Sequence, residues 1–310
     1  MALPAHGEVV VLDGGLATEL TARGHDLSDR LWSARVLMSA PAAIEDVHLA
    51  YFRAGAQVAT TASYQASIEG FASVGVVRTD ALGLIRRSVE VAQAARARYR
   101  AEATGNRPLL VAGSVGPYGA MFADGSEYRG DYDPGQAALA DFHRPRIEAL
   151  VEAGADLLAL ETIPTVREAE VLVRLLDEVA ASAWLSFSCR DEATTSAGEP
   201  IADAMALGAH PRVVAIGVNC TAPRHLPALL AAAAATTERP RIAYPNGGDR
   251  WDAPARRWIG DAGGAFDPAI VATWAALGAT WLGGCCGTGP PEIAALAERL
   301  GASPARPRLS

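Results

Sequence analysis

Three cysteines, Cys220, Cys285 and Cys286, are the residues of this chain best suited to chemistry. Three thiolates around one ion leave a fourth tetrahedral position open, the pattern of a catalytic zinc, whereas a structural zinc normally closes with a fourth protein ligand. The fourth thiol of the chain, Cys189, is available for such closure, but it reads more simply as a small buried residue. An ion held by three soft thiolates activates water poorly, yet it takes a substrate thiol as a fourth sulfur and keeps it deprotonated. A free thiol has a pKa of about 8.5, so only a few per cent of it is thiolate at neutral pH. A metal-held thiolate suits attack on an electrophilic carbon, and in-line methyl transfer needs no general acid or base. The chain is therefore read as binding one Zn2+ and activating a small thiol as methyl acceptor. The bland alternative is a pair of small buried cysteines at a crowded strand end.

Adjacent residues of a strand point to opposite faces, so Cys285 and Cys286 can share a metal only where the backbone leaves strand geometry. Gly283, Gly284 and Gly287 supply that freedom. The elements that must carry these residues are eight short runs rich in Val, Leu, Ile and Ala, the mark of strands buried on both faces. They are Glu8 to Leu12, Gln57 to Thr61, Leu109 to Ala112, Asp156 to Leu160, Ala183 to Phe187, Val213 to Val218, Arg241 to Tyr244, and Thr280 to Leu282.

Helices are expected between them. Thr165 followed by Glu168 has the form of a capping box, and Ala169, Leu172, Val173, Leu176 and Val179 then share one helical face. A helix over Ala17 to Arg23 ends at Gly24, another runs from Pro41 to Gly55, and Pro291 opens the last. Strands alternating with helices over 310 residues match an α/β fold of the (β/α)8 TIM-barrel type, with a doubly wound open sheet as the competitor. The Gly-rich connections 113–134, 188–200 and 245–268 each follow a strand, which gathers long loops on one face. One domain is expected over residues 1–302, with a disordered tail at 303–310. At the strand ends stand Asp13, Thr60 and Thr61, Glu161, Asn219 and Cys220, and Cys285 and Cys286; in a barrel these converge on one mouth.

The formal net charge of -8 argues against nucleic-acid or anionic-membrane partners, which want concentrated Lys and Arg. No apolar run is long enough for a membrane span and no signal peptide is visible, so a cytoplasmic address and small-molecule partners are expected. Four cysteines are too sparse for a secreted disulfide framework.

At this point the residues resemble a known family. The segments 11–20 (VLDGGLATEL), 60–67 (TTASYQAS), 113–119 (GSVGPYG), 123–128 (ADGSEY), 160–164 (LETIP), 217–223 (GVNCTAP) and 283–287 (GGCCG) are similar to those of the homocysteine S-methyltransferases, most closely the single-domain branch using S-methylmethionine or S-adenosylmethionine. The resemblance implies a (β/α)8 barrel with zinc on Cys220, Cys285 and Cys286. It implies that Asp13 and Glu161 hold the homocysteine amino group, with groups near Thr60 and the Asp13-Gly14 turn facing its carboxylate. Trp32 and Tyr64 match aromatic positions that line the onium-donor pocket of related betaine-using enzymes, where cation–π attraction is worth roughly 0.5 to 2 kcal/mol.

Other readings remain beside these. Asp13 is also a good helix cap, Glu161 also a candidate for a salt bridge within the barrel, and Trp32 and Tyr64 candidates for core packing. Tyr118 and Phe122 belong to the long third loop and read as pins for it. Asn219 either orients the zinc site or substrate or satisfies backbone at a strand end. His143 packs within or caps a helix. Where many donor-specific members carry Arg after the paired cysteines, this chain has Gly287, as the cobalamin-linked methionine synthases do. The methyl is expected from a free small molecule or a separate protein. Rival functions are a zinc hydrolase, which would want His and carboxylate ligands, a non-enzymatic barrel stapled by zinc, and a selenocysteine methyltransferase.

Overall fold

A computed structural model describes residues 3–5, 7–27, 31–103, 107–248, 250–252, 257–259 and 266–302. The segment 303–310, expected as a tail, lies outside the described residues. Eight parallel strands form the sheet: β1 (Val10–Val11), β2 (Val58–Thr60), β3 (Leu110–Val115), β4 (Leu157–Ile163), β5 (Ala183–Phe187), β6 (Val213–Asn219), β7 (Arg241–Tyr244) and, after an antiparallel hairpin of β8 (Arg250–Asp252) and β9 (Arg257–Ile259), β10 (Ala279–Leu282). The order β1-β10-β7-β6-β5-β4-β3-β2 is that of a (β/α)8 TIM barrel. Each expected strand is present; β3 and β4 run three residues further than their apolar runs suggested, and β1 is only two residues long.

The seam between β1 and β2 is closed largely by side chains. Gln57 donates its amide N–H to the Val11 carbonyl at 2.7 Å, and its side-chain oxygen accepts from Val11 N–H at 3.1 Å. Further up, the Asp13 carboxylate accepts from Thr60 N–H at 2.6 Å. These bonds satisfy backbone groups that a short β1 cannot pair in a ladder.

Strand alternation creates two cores. Val10, Leu110, Leu157, Trp184, Ile242 and Trp281 fill the barrel interior, with the Trp184 and Trp281 rings 6.0 Å apart in an edge-to-face contact. The outward residues meet the helices. In the helix Val166–Val179, Ala169, Leu172, Val173 and Leu176 are buried as the spacing required, Val179 at its end is only partly buried, and Thr165 caps Glu168 N–H at 3.2 Å. The reciprocal half of the capping box is absent, because both oxygens of the Glu168 carboxylate are engaged elsewhere: by Tyr118 N–H at 2.6 Å, His143 Nε2 at 2.7 Å and the Tyr132 hydroxyl at 2.7 Å. Fully buried, Glu168 thus ties the β3 loop to two helices. No helix among the described residues is long and apolar enough to cross a membrane.

Candidate metal centre and substrate cavity

Cys220 is the first residue beyond β6 and takes φ 46°, a left-handed conformation that costs a non-glycine residue on the order of 1 kcal/mol. Its amide bonds the Tyr244 carbonyl at 3.1 Å, which fixes the turned backbone. Beyond β10 the chain leaves strand geometry as the glycines allowed. Thr288 N–H donates to the Cys285 carbonyl at 3.1 Å, closing a turn whose third residue, Gly287, has φ 79°. The neighbouring loop holds this turn, through Cys285 N–H to the Pro245 carbonyl at 2.8 Å and Gly247 N–H to the Cys286 carbonyl at 2.7 Å.

These turns bring the three sulfurs together. Cys220 Sγ and Cys286 Sγ are 3.7 Å apart, and all three Sγ atoms lie within 4.8 Å of one another. Two thiolates about 2.3 Å from one tetrahedral ion stand roughly 3.8 Å apart, so the group can hold a metal ion with little movement. Among the described residues no fourth Cys, His, Asp or Glu joins the group. Cys189 is buried apart from it, its amide bonded to the Thr221 hydroxyl at 3.0 Å. Hydrogen bonding from Cys285 and Cys286 holds the Cys220 thiol well below the ordinary range, and bonding to Cys220 together with burial pushes the other two up. A cation among the three sulfurs would favour their thiolate forms.

The sulfurs form one wall of a cavity of about 740 Å³, its open mouth included. Asp13 and Glu161 also line it. Asp13 receives the Thr60 amide on one oxygen and the Thr60 hydroxyl on the other, at 2.6 and 2.8 Å. Burial pushes its carboxyl up to about 8 against the pull of those bonds, with the nearby Glu161 adding to the rise. Glu161 accepts from the Ser114 hydroxyl and, at 3.1 Å, from Tyr244; burial pushes it up to about 7. No Lys, Arg or His among the described residues lines the cavity. Two buried acids thus share a wall that bears no cationic side chain among the described residues, with the buried Arg146 acting on Glu161 from behind it.

Thr60, Trp32 and Tyr64 line the same space, Trp32 in a left-handed conformation with φ 46°. Tyr64 is positioned by Arg146, which is buried and donates to the Tyr64 and Ser63 carbonyls at 2.8 and 3.1 Å. Gly116 lies against the ring so closely that a Cβ there would stand 2.6 Å from Tyr64 Cδ2. Asn219 sits behind the cavity wall. It is fully buried, and its amide grips Thr162, accepting from the N–H at 2.7 Å and donating to the hydroxyl at 2.8 Å. Thr162 has φ 60° at the bulge of β4, so Asn219 supports a strained residue that itself faces the cavity.

Tyr118 and Phe122 do not line the cavity. They pack edge to face, 5.5 Å between ring centroids, and Tyr118 continues onto Phe142 at 4.9 Å. His143, fully buried against Glu168, stays within the helix layer. Among the lining residues not singled out from the sequence are Ser114, Tyr244 and Tyr128, whose hydroxyl is 3.4 Å from Cys220 Sγ. Tyr244 closes β7 and Ser114 lies near the end of β3, so the strand-end rule could have found both. Tyr128 lies on a loop, where no periodicity points to it.

A family model described as homocysteine S-methyltransferase matches residues 10–300. A homocysteine S-methyltransferase of Escherichia coli is 51% identical over 253 residues, covering 81% of this chain and 82% of that protein. A selenocysteine Se-methyltransferase of Brassica oleracea is 43% identical, over 83% of this chain and 78% of its own. In three dimensions, the metallated form of the homocysteine methyltransferase MmuM from Escherichia coli matches with a TM-score of 0.85 at 48% identity, covering 94% of this chain and 96% of that one.

Proposed function

Since this chain belongs to the homocysteine S-methyltransferase family, we propose that it moves a methyl group from a sulfonium donor, S-methylmethionine or S-adenosylmethionine, to the sulfur of homocysteine, giving methionine. The observation that carries this reading is one cavity holding three convergent cysteine sulfurs and two buried acids. Zn2+ is the ion proposed for Cys220, Cys285 and Cys286, and three thiolates with no fourth protein ligand speak for a catalytic rather than a stapling or hydrolytic centre. When bound, it supplies an open position at which an incoming thiol is held deprotonated near neutral pH.

The chain's own residues orient the two substrates. Asp13 and Glu161 take the homocysteine ammonium, each charge-assisted bond worth about 1.5 to 3 kcal/mol when well aligned. The Thr60 side of the Asp13-Gly14 turn faces its carboxylate. Trp32 and Tyr64 present aromatic faces to the donor sulfonium and keep water from the reacting sulfur. The methyl carbon leaves the sulfonium, which keeps the bonding pair and becomes a neutral thioether. A new carbon–sulfur bond forms on homocysteine, whose thiol proton passes to solvent. Four free cysteines suit a reducing, cytoplasmic setting.

The Brassica relative favours a second acceptor, selenocysteine, whose selenol would meet the same soft centre. The test offers homocysteine and selenocysteine in turn to the reduced, zinc-loaded protein with S-methylmethionine, S-adenosylmethionine or betaine. Methionine formed from homocysteine and a sulfonium donor is expected; no methylated product with any pair would refute the reading.

A further inference from the structure

Glu127 is a buried carboxyl group outside the cavity lining. It lies in the short turn Ser126–Tyr128, is 1% exposed, and neither of its carboxylate oxygens has a hydrogen-bond partner. Its backbone is fixed, with its carbonyl accepting from the Ser188 hydroxyl at 3.3 Å. Arg129, two residues on, spends its guanidinium on Asp131, the Asp124 carbonyl and the Ser126 hydroxyl, at 2.7, 2.9 and 3.2 Å. An unpartnered buried carboxyl costs stability, so a purely structural role is hard to assign to it. Burial pushes it up to about 7.

Glu127 does not line the cavity, and two relationships set it behind the cavity wall. Tyr128, which follows it, lines the cavity beside Cys220, and among charged neighbours Glu127 acts most strongly on the hydroxyl of Tyr64, a second lining ring. The other two acids of the site already have partners: Asp13 is bonded by Thr60, Glu161 by Ser114 and Tyr244. Glu127 stands behind the aromatic wall, its charge only partly offset by Arg129, which gives its hydrogen bonds to other groups, and opposed by Asp124.

Resting on the methyl-transfer reading above, we infer that Glu127 is the counter-charge of the donor cation, acting through the wall formed by Tyr64 and Tyr128 and selecting a sulfonium over a neutral thioether. Inside a low-dielectric wall such a charge reaches further than it would in water, and no direct contact is required. The acceptor is held by the other two acids, so Glu127 determines donor specificity and leaves homocysteine binding alone.

The test uses two unreactive analogues of S-methylmethionine, one with trimethylammonium and one with tert-butyl in place of dimethylsulfonium. Their affinities for the metal-loaded, homocysteine-saturated protein are measured by calorimetry. The wild type should favour the cation by roughly tenfold or more, and Glu127→Gln should cut that ratio by about tenfold. Metal content and homocysteine affinity should be unchanged, and the melting temperature should not fall, because the uncharged isostere removes a burial cost. An unchanged ratio in Glu127→Gln, or a variant that melts well below the wild type, overturns the inference. Loss of the ratio in a protein that transfers no methyl to homocysteine would instead overturn the functional reading and leave the cation site standing.

Discussion

The two oxygens of the Asp13 carboxylate are taken by the amide and the hydroxyl of one residue, Thr60. The acid proposed to hold the substrate ammonium is therefore also the clasp between β1 and β2. Mutation separates the two roles. Asp13→Asn keeps an acceptor for Thr60 and removes the charge, so the homocysteine KM should rise by tenfold or more while the donor KM stays constant. Asp13→Ala should in addition lower stability in urea unfolding by about 1 to 3 kcal/mol, by leaving the Thr60 amide unpaired.

Asp13 and Glu161 are pushed up to about 8 and about 7, from ordinary values of 3.8 and 4.5. Between the unfolded and folded values the folded state binds the extra protons, so these groups make it less stable as pH rises through that window. For the metal-free, reduced protein, the melting temperature of the wild type should decline more steeply from pH 5 to 8 than that of Asp13→Asn. Equal slopes would show that Asp13 is already ionised at the lower end.

Cys285→Ser should lose zinc and activity together while the barrel stays folded, because the turn around it is held by backbone bonds to Pro245 and Thr288. Metal analysis, circular dichroism and methyl transfer on one preparation check this. A drop in rate of about a thousandfold or more is expected. Full zinc content and rate would refute the ligand assignment.

Glu168 gathers Tyr118 N–H, Tyr132 and His143 in a site with no exposure. Glu168→Ala should destabilise by on the order of 3 kcal/mol, since three donors lose their acceptor at once. The KM for homocysteine should hold in the folded fraction, as none of these groups lines the cavity. Denaturant midpoints and steady-state kinetics at low temperature separate the two effects.

The barrel was legible because its strands are buried on both faces, and Val, Leu, Ile and Ala in short runs are the imprint of that burial. The sulfur cluster was legible because strand ends converge in a barrel, and the glycines around Cys285 and Cys286 announce a turn. Side chains that cross between elements left no local trace. Thr165 and Glu168 spell a capping box, yet the Glu168 carboxylate finds better partners in tertiary structure. Asn219 was open between orienting the site and satisfying backbone; its grip on Thr162 depends on a bulge in β4 that no pattern in the strand betrays. The short β1 and the hairpin of β8 and β9 also went unforeseen, the first because Gln57 replaces ladder bonds with its side chain, the second because its strands are three residues each.

In the proposed reaction a three-sulfur metal centre receives the acceptor's sulfur at its fourth position. X-ray absorption at the zinc edge, on the reconstituted protein before and after homocysteine, tests it most directly. Three sulfur ligands and one lighter atom are expected in the free enzyme and four sulfurs, with a metal–sulfur distance of about 2.3 Å, once homocysteine is bound. Four sulfurs from the outset, or a coordination shell that homocysteine leaves unchanged, would contradict it.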